Sequence, residues 1–149
     1  MGDSKGSGVD IGLLFLRLAL GGVMMAHGIK KLIGPGVEGF SGFLANLGLP
    51  QPYWMAIAAI SAEIGGGLLV VLGLFAPLGA LAIFITVAVA AWTVHLQHGF
   101  WLVERAAADI KQGDPIPNGV EYTVVLAAMA LCIVFAGPGR IRVPVGKRH

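Results

Sequence analysis

The apolar run from Tyr53 to Ala76 carries one charged residue, Glu63, in the string ISAEIGGGLLVVLG. A run of this length reads as a helix that crosses a bilayer, which needs about 20 such residues. A carboxylate inside such a helix is costly, so it is kept with a partner, a water-lined cavity or a function. The first apolar run, DIGLLFLRLALGGVMM, offers a charge of opposite sign in Arg17. No other ionisable side chain occurs between Asp10 and His27. The two rare charges together predict a buried site built on an Arg17–Glu63 pair.

Composition fixes the class of protein. The chain is 56% hydrophobic and 12% charged, about half the charge of a soluble domain, and cannot solvate an ordinary globular surface. A net charge of +2 with no basic stripe excludes a nucleic-acid partner. Cys132 is the one cysteine, so the chain forms no internal disulfide and no dithiol relay. Redox chemistry would therefore come from a bound cofactor or a partner protein. The N-terminal segment MGDSKGSGVD is polar and rich in Gly and Ser, and reads as a disordered lead over residues 1–10 rather than a cleaved signal.

The fold class this predicts is all-α: an integral membrane bundle of four transmembrane helices over residues 11–139, followed by a basic tail over 140–149. The spans are expected near 11–32, 53–74, 77–97 and 119–136. Pro77 opens the third after a tight turn, so spans two and three are antiparallel neighbours. Between spans one and two, Val37, Phe40, Phe43, Leu44 and Leu47 fall at helical spacing. They predict a short amphipathic helix lying in the membrane interface, ended by Gly48-Leu49-Pro50. An even span count puts both termini on one side. That side holds Lys5, Arg140, Arg142, Lys147 and Arg148, against Lys30, Lys31, Arg105 and Lys111 opposite. The bias places both termini in the cytoplasm.

Depth supports the pair. Counted from the terminal ends of their spans, Arg17 lies about 10 Å deep and Glu63 about 16 Å deep, an offset that an arginine side chain covers. Arg17, Gly21, Met24, Gly28 and Lys31 share one face of span one, with His27 at its edge, and this face is expected to look inward. Gly21, Gly22 and Gly65-Gly66-Gly67 let another helix or a ligand approach closely. At the opposite leaflet His27, Lys30 and Lys31 end span one, His95 and His98 end span three, and Glu121 begins span four. Three helix ends thus predict a polar pocket for a head group, a quinone ring or a small anion. The competing readings are structural. Arg17 and Glu63 serve equally well as a pair that fixes helix register, Lys30 and Lys31 as snorkelling anchors, and the histidines and Trp54, Trp92 and Trp101 as interfacial residues. Two histidines without a nearby cysteine make no metal site.

The order of these features resembles the DoxX family of small membrane proteins. It runs from Arg17 through Gly21 or Gly22, His27-Gly28-x-x-Lys31, the Phe40/Phe43 connection and Gly48-Leu49-Pro50, then to Glu63 with its glycines, LLVVLGLFAPLGA, and Gly137-Pro138-Gly139. The resemblance covers residues 11 to about 139. It implies a four-helix bundle in a bacterial plasma membrane. It also implies a membrane component of an oxidoreductase system that binds quinone or docks a redox partner protein. In that reading of the residues Arg17 and Glu63 would shape the buried site and His27 and Lys31 would hold the polar end of the ligand, with His95 and Glu121 as further candidates. The family name comes from a membrane subunit of thiosulfate:quinone oxidoreductase, while other relatives act in redox-stress complexes or as assembly factors. A non-enzymatic scaffold and a small-solute transporter, acting as a homo-oligomer, are therefore the rival expectations. With no intrinsic haem or flavin motif, autonomous catalysis is not expected.

Overall fold

A computed structural model of the chain describes residues 3–96, 99–100 and 119–144. These form helices without any strand: α1 over Asp3–Ile33, α2 over Gly36–Asn46, α3 over Pro52–Leu72 and α4 over Ala76–His95, and α5 over Glu121–Ala136. His98, Trp101, the charged connection over residues 101–118, and Lys147 and Arg148 lie outside the described residues.

α1, α3 and α4 are long and apolar enough to cross a membrane, with mean hydropathies of 1.8, 2.0 and 2.0 over their most apolar stretches. α5 is apolar but shorter. Large apolar side chains on several helices point outward: Phe15, Trp54, Leu78, Trp92 and Phe135 are all exposed. In water so much apolar surface would drive aggregation, whereas lipid solvates it.

α1 starts at Asp3, so the segment expected to be a disordered lead continues the helix. The helix is tied down there by its neighbour in space. Asp10 Oδ1 accepts the backbone N–H of Arg140 at 2.8 Å, and its other oxygen lies 3.8 Å from Arg140 Nε. α2 ends in a Schellman motif, with Leu49 N–H donating to Leu44 O, Gly48 N–H to Ala45 O, and Gly48 at φ +74°. α3 ends the same way, at Gly73 with φ +72°. The chain then reverses through Phe75, and Pro77 sits in the first turn of α4.

α3 is the central helix, and two consecutive glycines let it serve two neighbours. A Cβ at Gly67 would meet Gly21 O at 2.8 Å, and one at Gly66 would meet Gly79 O at 2.9 Å. Residues one apart on a helix point about 100° apart, so Gly67 admits α1 while Gly66 admits α4. Gly22 and Gly65 face open space instead. The expected inward face of α1 is observed: Arg17, Gly21, Met24 and Gly28 are buried and Lys31 is half-buried. Leu20, Met24, Val70, Ala80, Ile83, Val87, Leu126, Ala130 and Ile133 fill the centre of the bundle.

Candidate functional site

Arg17 and Glu63 do not pair. The Arg17 guanidinium points to the terminal end of the bundle and donates only to backbone carbonyls. Nε reaches Val70 O at 2.9 Å and Nη2 reaches Val71 O at 3.0 Å. Nη1 reaches Pro138 O and also Ile141 O, the latter at 2.7 Å. Val70 and Val71 belong to the last turn of α3, where carbonyls lack the usual donor four residues on; Val70 O accepts the Gly73 N–H at 3.2 Å and takes Arg17 as a second donor. Arg17 therefore caps α3 and clamps the Gly137-Pro138-Gly139 turn that follows α5. Gly73 makes room for it, since a Cβ there would lie 2.9 Å from Arg17 Cζ.

The register explains the correction. α1 and α3 are antiparallel, with Gly21 against Gly67 and Gly28 against Glu63 and Ile64. Arg17 is therefore level with Val71, two helical turns beyond Glu63 and about 12 Å away along the axis. Counting depth from the ends of the apolar runs halves that offset.

Glu63 is 3% exposed and pairs with Lys31, whose Nζ donates to Oε1. A π-helical turn over Ala62–Gly66 carries the carboxylate. Such a turn inserts one residue into the helix and is frequent where a side chain must be aimed. Gly28 allows the approach, because a Cβ there would meet Glu63 Cβ at 3.0 Å. The Lys31 ammonium also lies 4.9 Å from the centre of the Phe40 ring, a cation–π contact that ties α2 to the pair. The second carboxylate oxygen, Oε2, is buried and has no hydrogen-bond partner among the described residues.

This pair borders a cavity of about 400 Å³, within the usual size range of small-molecule sites. Lys31 and His27 come from α1, and Phe40, Phe43 and Leu44 from α2. Met55, Ala58, Ala59 and Glu63 come from α3, Thr86, Thr93 and His95 from α4, and Tyr122, Thr123 and Leu126 from α5. Most of the wall is apolar. His27 Nε2 lies 3.3 Å from the Tyr122 hydroxyl, with the rings tilted and 6.1 Å apart.

Of the residues singled out in the sequence, His27, Lys31, Glu63 and His95 line this cavity together. Arg17 belongs to the clamp at the other end. Glu121 stands beside the cavity rather than in its wall, and its neighbour Tyr122 takes that place. Its backbone N–H donates to Phe100 O at 3.0 Å. Lys30 is exposed.

Tyr122, Thr86, Thr93 and Thr123 were not anticipated as site residues. Their signal was faint but present, since hydroxyls are sparse in these apolar runs and Thr86 and Thr93 are two turns apart on one helix face. Phe40 was expected on the apolar face of α2, and its ring is the part of α2 that meets the Lys31 charge.

The chain is similar to known proteins along most of its length. The family model DoxX matches residues 12–96. "Inner membrane protein YphA" of Escherichia coli (strain K12) is 32% identical over 133 residues, covering 87% of this chain and 85% of that protein. "Putative oxidoreductase CatD" of Bacillus subtilis (strain 168) is 36% identical over 91 residues, 61% of this chain and 65% of that protein. No solved structure matches the chain.

Proposed function

We propose, from the premise that the chain belongs to the DoxX family, that it is the membrane component of an oxidoreductase system and that its cavity takes the ring of a quinone-class ligand. The observation that carries this reading is the composition of the cavity wall. It is mostly apolar, with Lys31, Glu63, His27, His95, Tyr122 and three threonines as its polar groups. That is the pattern of a site for an amphipathic small molecule. The oxidoreductase name of the Bacillus subtilis relative supports the same class of chemistry.

The residues fit such a ring. Lys31 offers a cationic donor, Tyr122 and His27 a second polar point, and Phe40, Phe43 and Leu126 an apolar wall for the ring face. A bound quinone would carry electrons and protons between a partner protein and the membrane pool. The chain's own part is to bind and orient it and to exclude water. The single cysteine leaves no dithiol to do redox work, so a partner would exchange the electrons.

The proposed membrane placement follows from the same elements. α5, 16 residues long, is the fourth crossing, about 24 Å at helical rise, with tilt or local thinning absorbing the mismatch. α2 lies in the interface at the mouth of the cavity. Both termini are in the cytoplasm of a bacterial cell. Reporter fusions at position 149 and within residues 104–114 should then report opposite sides.

The decisive experiment is an ultraviolet spectrum and lipid extract of the purified protein, followed by titration with a short-tailed benzoquinone. A co-purifying quinone, or saturable binding weakened by Tyr122→Phe and Lys31→Met, supports the site. Phospholipid alone in the extract, with no saturable quinone binding, would leave a scaffold for partner proteins as the better reading.

A further inference from the structure

The hydrogen-bonding character of the cavity wall goes further than its size and polarity. Two of its threonines spend their hydroxyl hydrogens on their own helices. Thr86 Oγ1 donates to Ala82 O at 3.0 Å and Thr123 Oγ1 to Val120 O at 2.7 Å. A hydroxyl whose hydrogen is used has only lone pairs left to offer. Glu63 Oε2 is a further acceptor, buried and without a partner among the described residues. Glu63 lines the cavity and its terminal torsion is soft, so rotation of the carboxylate is the movement that would turn this oxygen toward a ligand.

We infer that the cavity selects the hydroxyl-bearing, reduced form of its aromatic ligand, a hydroquinone, over the carbonyl-bearing quinone. This rests on the quinone-class reading of the site and adds which of the two forms it holds. A quinone carbonyl can only accept. It could take a hydrogen bond from Lys31, but it leaves Glu63 Oε2 unpaired in a mostly apolar wall. A ring hydroxyl does both: its oxygen accepts from Lys31 while its hydrogen goes to Glu63. The Lys31–Glu63 pair is thus a matched donor and acceptor for one hydroxyl group. A site with buried groups that need a donor discriminates strongly against an isosteric ligand that lacks one.

Three probes of equal ring size test this under anaerobic conditions on the full chain in detergent: a short-tailed benzoquinone, its hydroquinone, and the dimethyl ether of that hydroquinone. The ether keeps the reduced ring and cannot donate. Equilibrium dialysis should show the hydroquinone binding ~10-fold or more tightly than either other probe, the factor that separates a paired from an unpaired buried acceptor. Glu63→Gln, which replaces one acceptor oxygen by an amide donor, should reduce the preference to about threefold or less. Should that variant fail to fold with Lys31 stranded, Lys31→Met with Glu63→Gln leaves no unpaired charge and should lose the preference equally.

Equal binding of quinone and hydroquinone, or tighter binding of the quinone, would overturn the inference while leaving the quinone-class site standing. Ether binding equal to that of the hydroquinone, or an undiminished preference in Glu63→Gln, would overturn it too. Failure of all three probes to bind would remove the quinone-class reading and this inference together.

Discussion

Breaking the Lys31–Glu63 pair should unsettle the bundle in a way that Arg17 does not share. Removing one partner of a buried ion pair typically costs about 3–5 kcal/mol, because the other charge is left without compensation. Here the two sides differ: the Glu63 side chain is 4% exposed and that of Lys31 27%. After Glu63→Gln, Lys31 can swing toward water along its aliphatic stem, so the loss should sit below that range, near 2 kcal/mol. After Lys31→Met, Glu63 is left buried without a counter-charge, and the bundle should lose about 3 kcal/mol, limited by the proton the carboxylate can take up. The double variant strands nothing. It should recover about 2 kcal/mol relative to the sum of the single losses, measured by reversible unfolding in mixed detergent.

Arg17→Met supplies the contrast. It removes four hydrogen bonds from a charged donor, each worth about 1.5–3 kcal/mol before the cost of burying the guanidinium is recovered. A net loss of about 3 kcal/mol follows. Two turns of α3 separate its partners from Glu63, so the Arg17→Met and Glu63→Gln losses should add to within about 0.5 kcal/mol. A coupling of 1 kcal/mol or more between Arg17 and Glu63, or none between Lys31 and Glu63, would refute the assignment of partners.

The glycines give a second set of outcomes. Gly66→Ala and Gly67→Ala should each lower the melting temperature, since their added methyl groups meet backbone oxygens at 2.9 Å and 2.8 Å, while Gly22→Ala and Gly65→Ala face open space and should hold or slightly raise it. Gly73→Ala should cost more than either tolerated change, because it combines a φ of +72° with a clash against Arg17; proteolysis of the segment after Gly137 should accelerate in that variant. Asp10→Asn, by contrast, keeps an amide oxygen to accept the Arg140 N–H, loosens the 3.8 Å contact to an exposed Arg140 side chain, and should shift stability by less than about 0.5 kcal/mol.

Helix type, the approximate ends of the helices after α1 and the inward face of α1 were legible because they follow from local periodicity and composition. Arg17, Gly21, Met24, Gly28 and Lys31 recur at helical spacing whatever surrounds them. The partner of Glu63 was not legible in that way. It depends on the offset between two antiparallel helices, and that offset is set by Gly21 meeting Gly67 and Gly28 meeting Glu63 and Ile64. The sequence displays the glycines but not which of them touch. The π turn at Ala62–Gly66 shifts the helical register further in a way that periodicity assumes away. The threonines were not legible as site residues because a threonine in an apolar helix ordinarily spends its hydroxyl hydrogen on its own helix, as Thr86 and Thr123 do. That same feature is what makes them acceptors in the cavity wall.

Two buried charges thus do two kinds of work at opposite ends of one bundle. Each nitrogen of the Arg17 guanidinium donates to a carbonyl of the protein itself: the last turn of α3 and the segment after α5 supply fixed dipoles, and no counter-ion is needed. Such a group holds the chain together and offers a ligand little. Glu63 is satisfied only by half, with one oxygen on Lys31 and the other without a partner among the described residues. A fold selected for stability alone gains by filling or removing that oxygen, because an unpaired buried acceptor costs about 1–3 kcal/mol. Its presence beside a cavity, on a π turn and opposite a lysine that α2 helps to hold, is the arrangement expected where a ligand completes the pairing. On this argument stability variants at Arg17 and binding variants at Lys31 and Glu63 should separate. Arg17→Met should lower the unfolding midpoint while leaving hydroquinone affinity per folded molecule within about twofold, measured below the melting range. A parallel loss of affinity in that folded fraction would show that the two ends are coupled and that the division of labour is wrong.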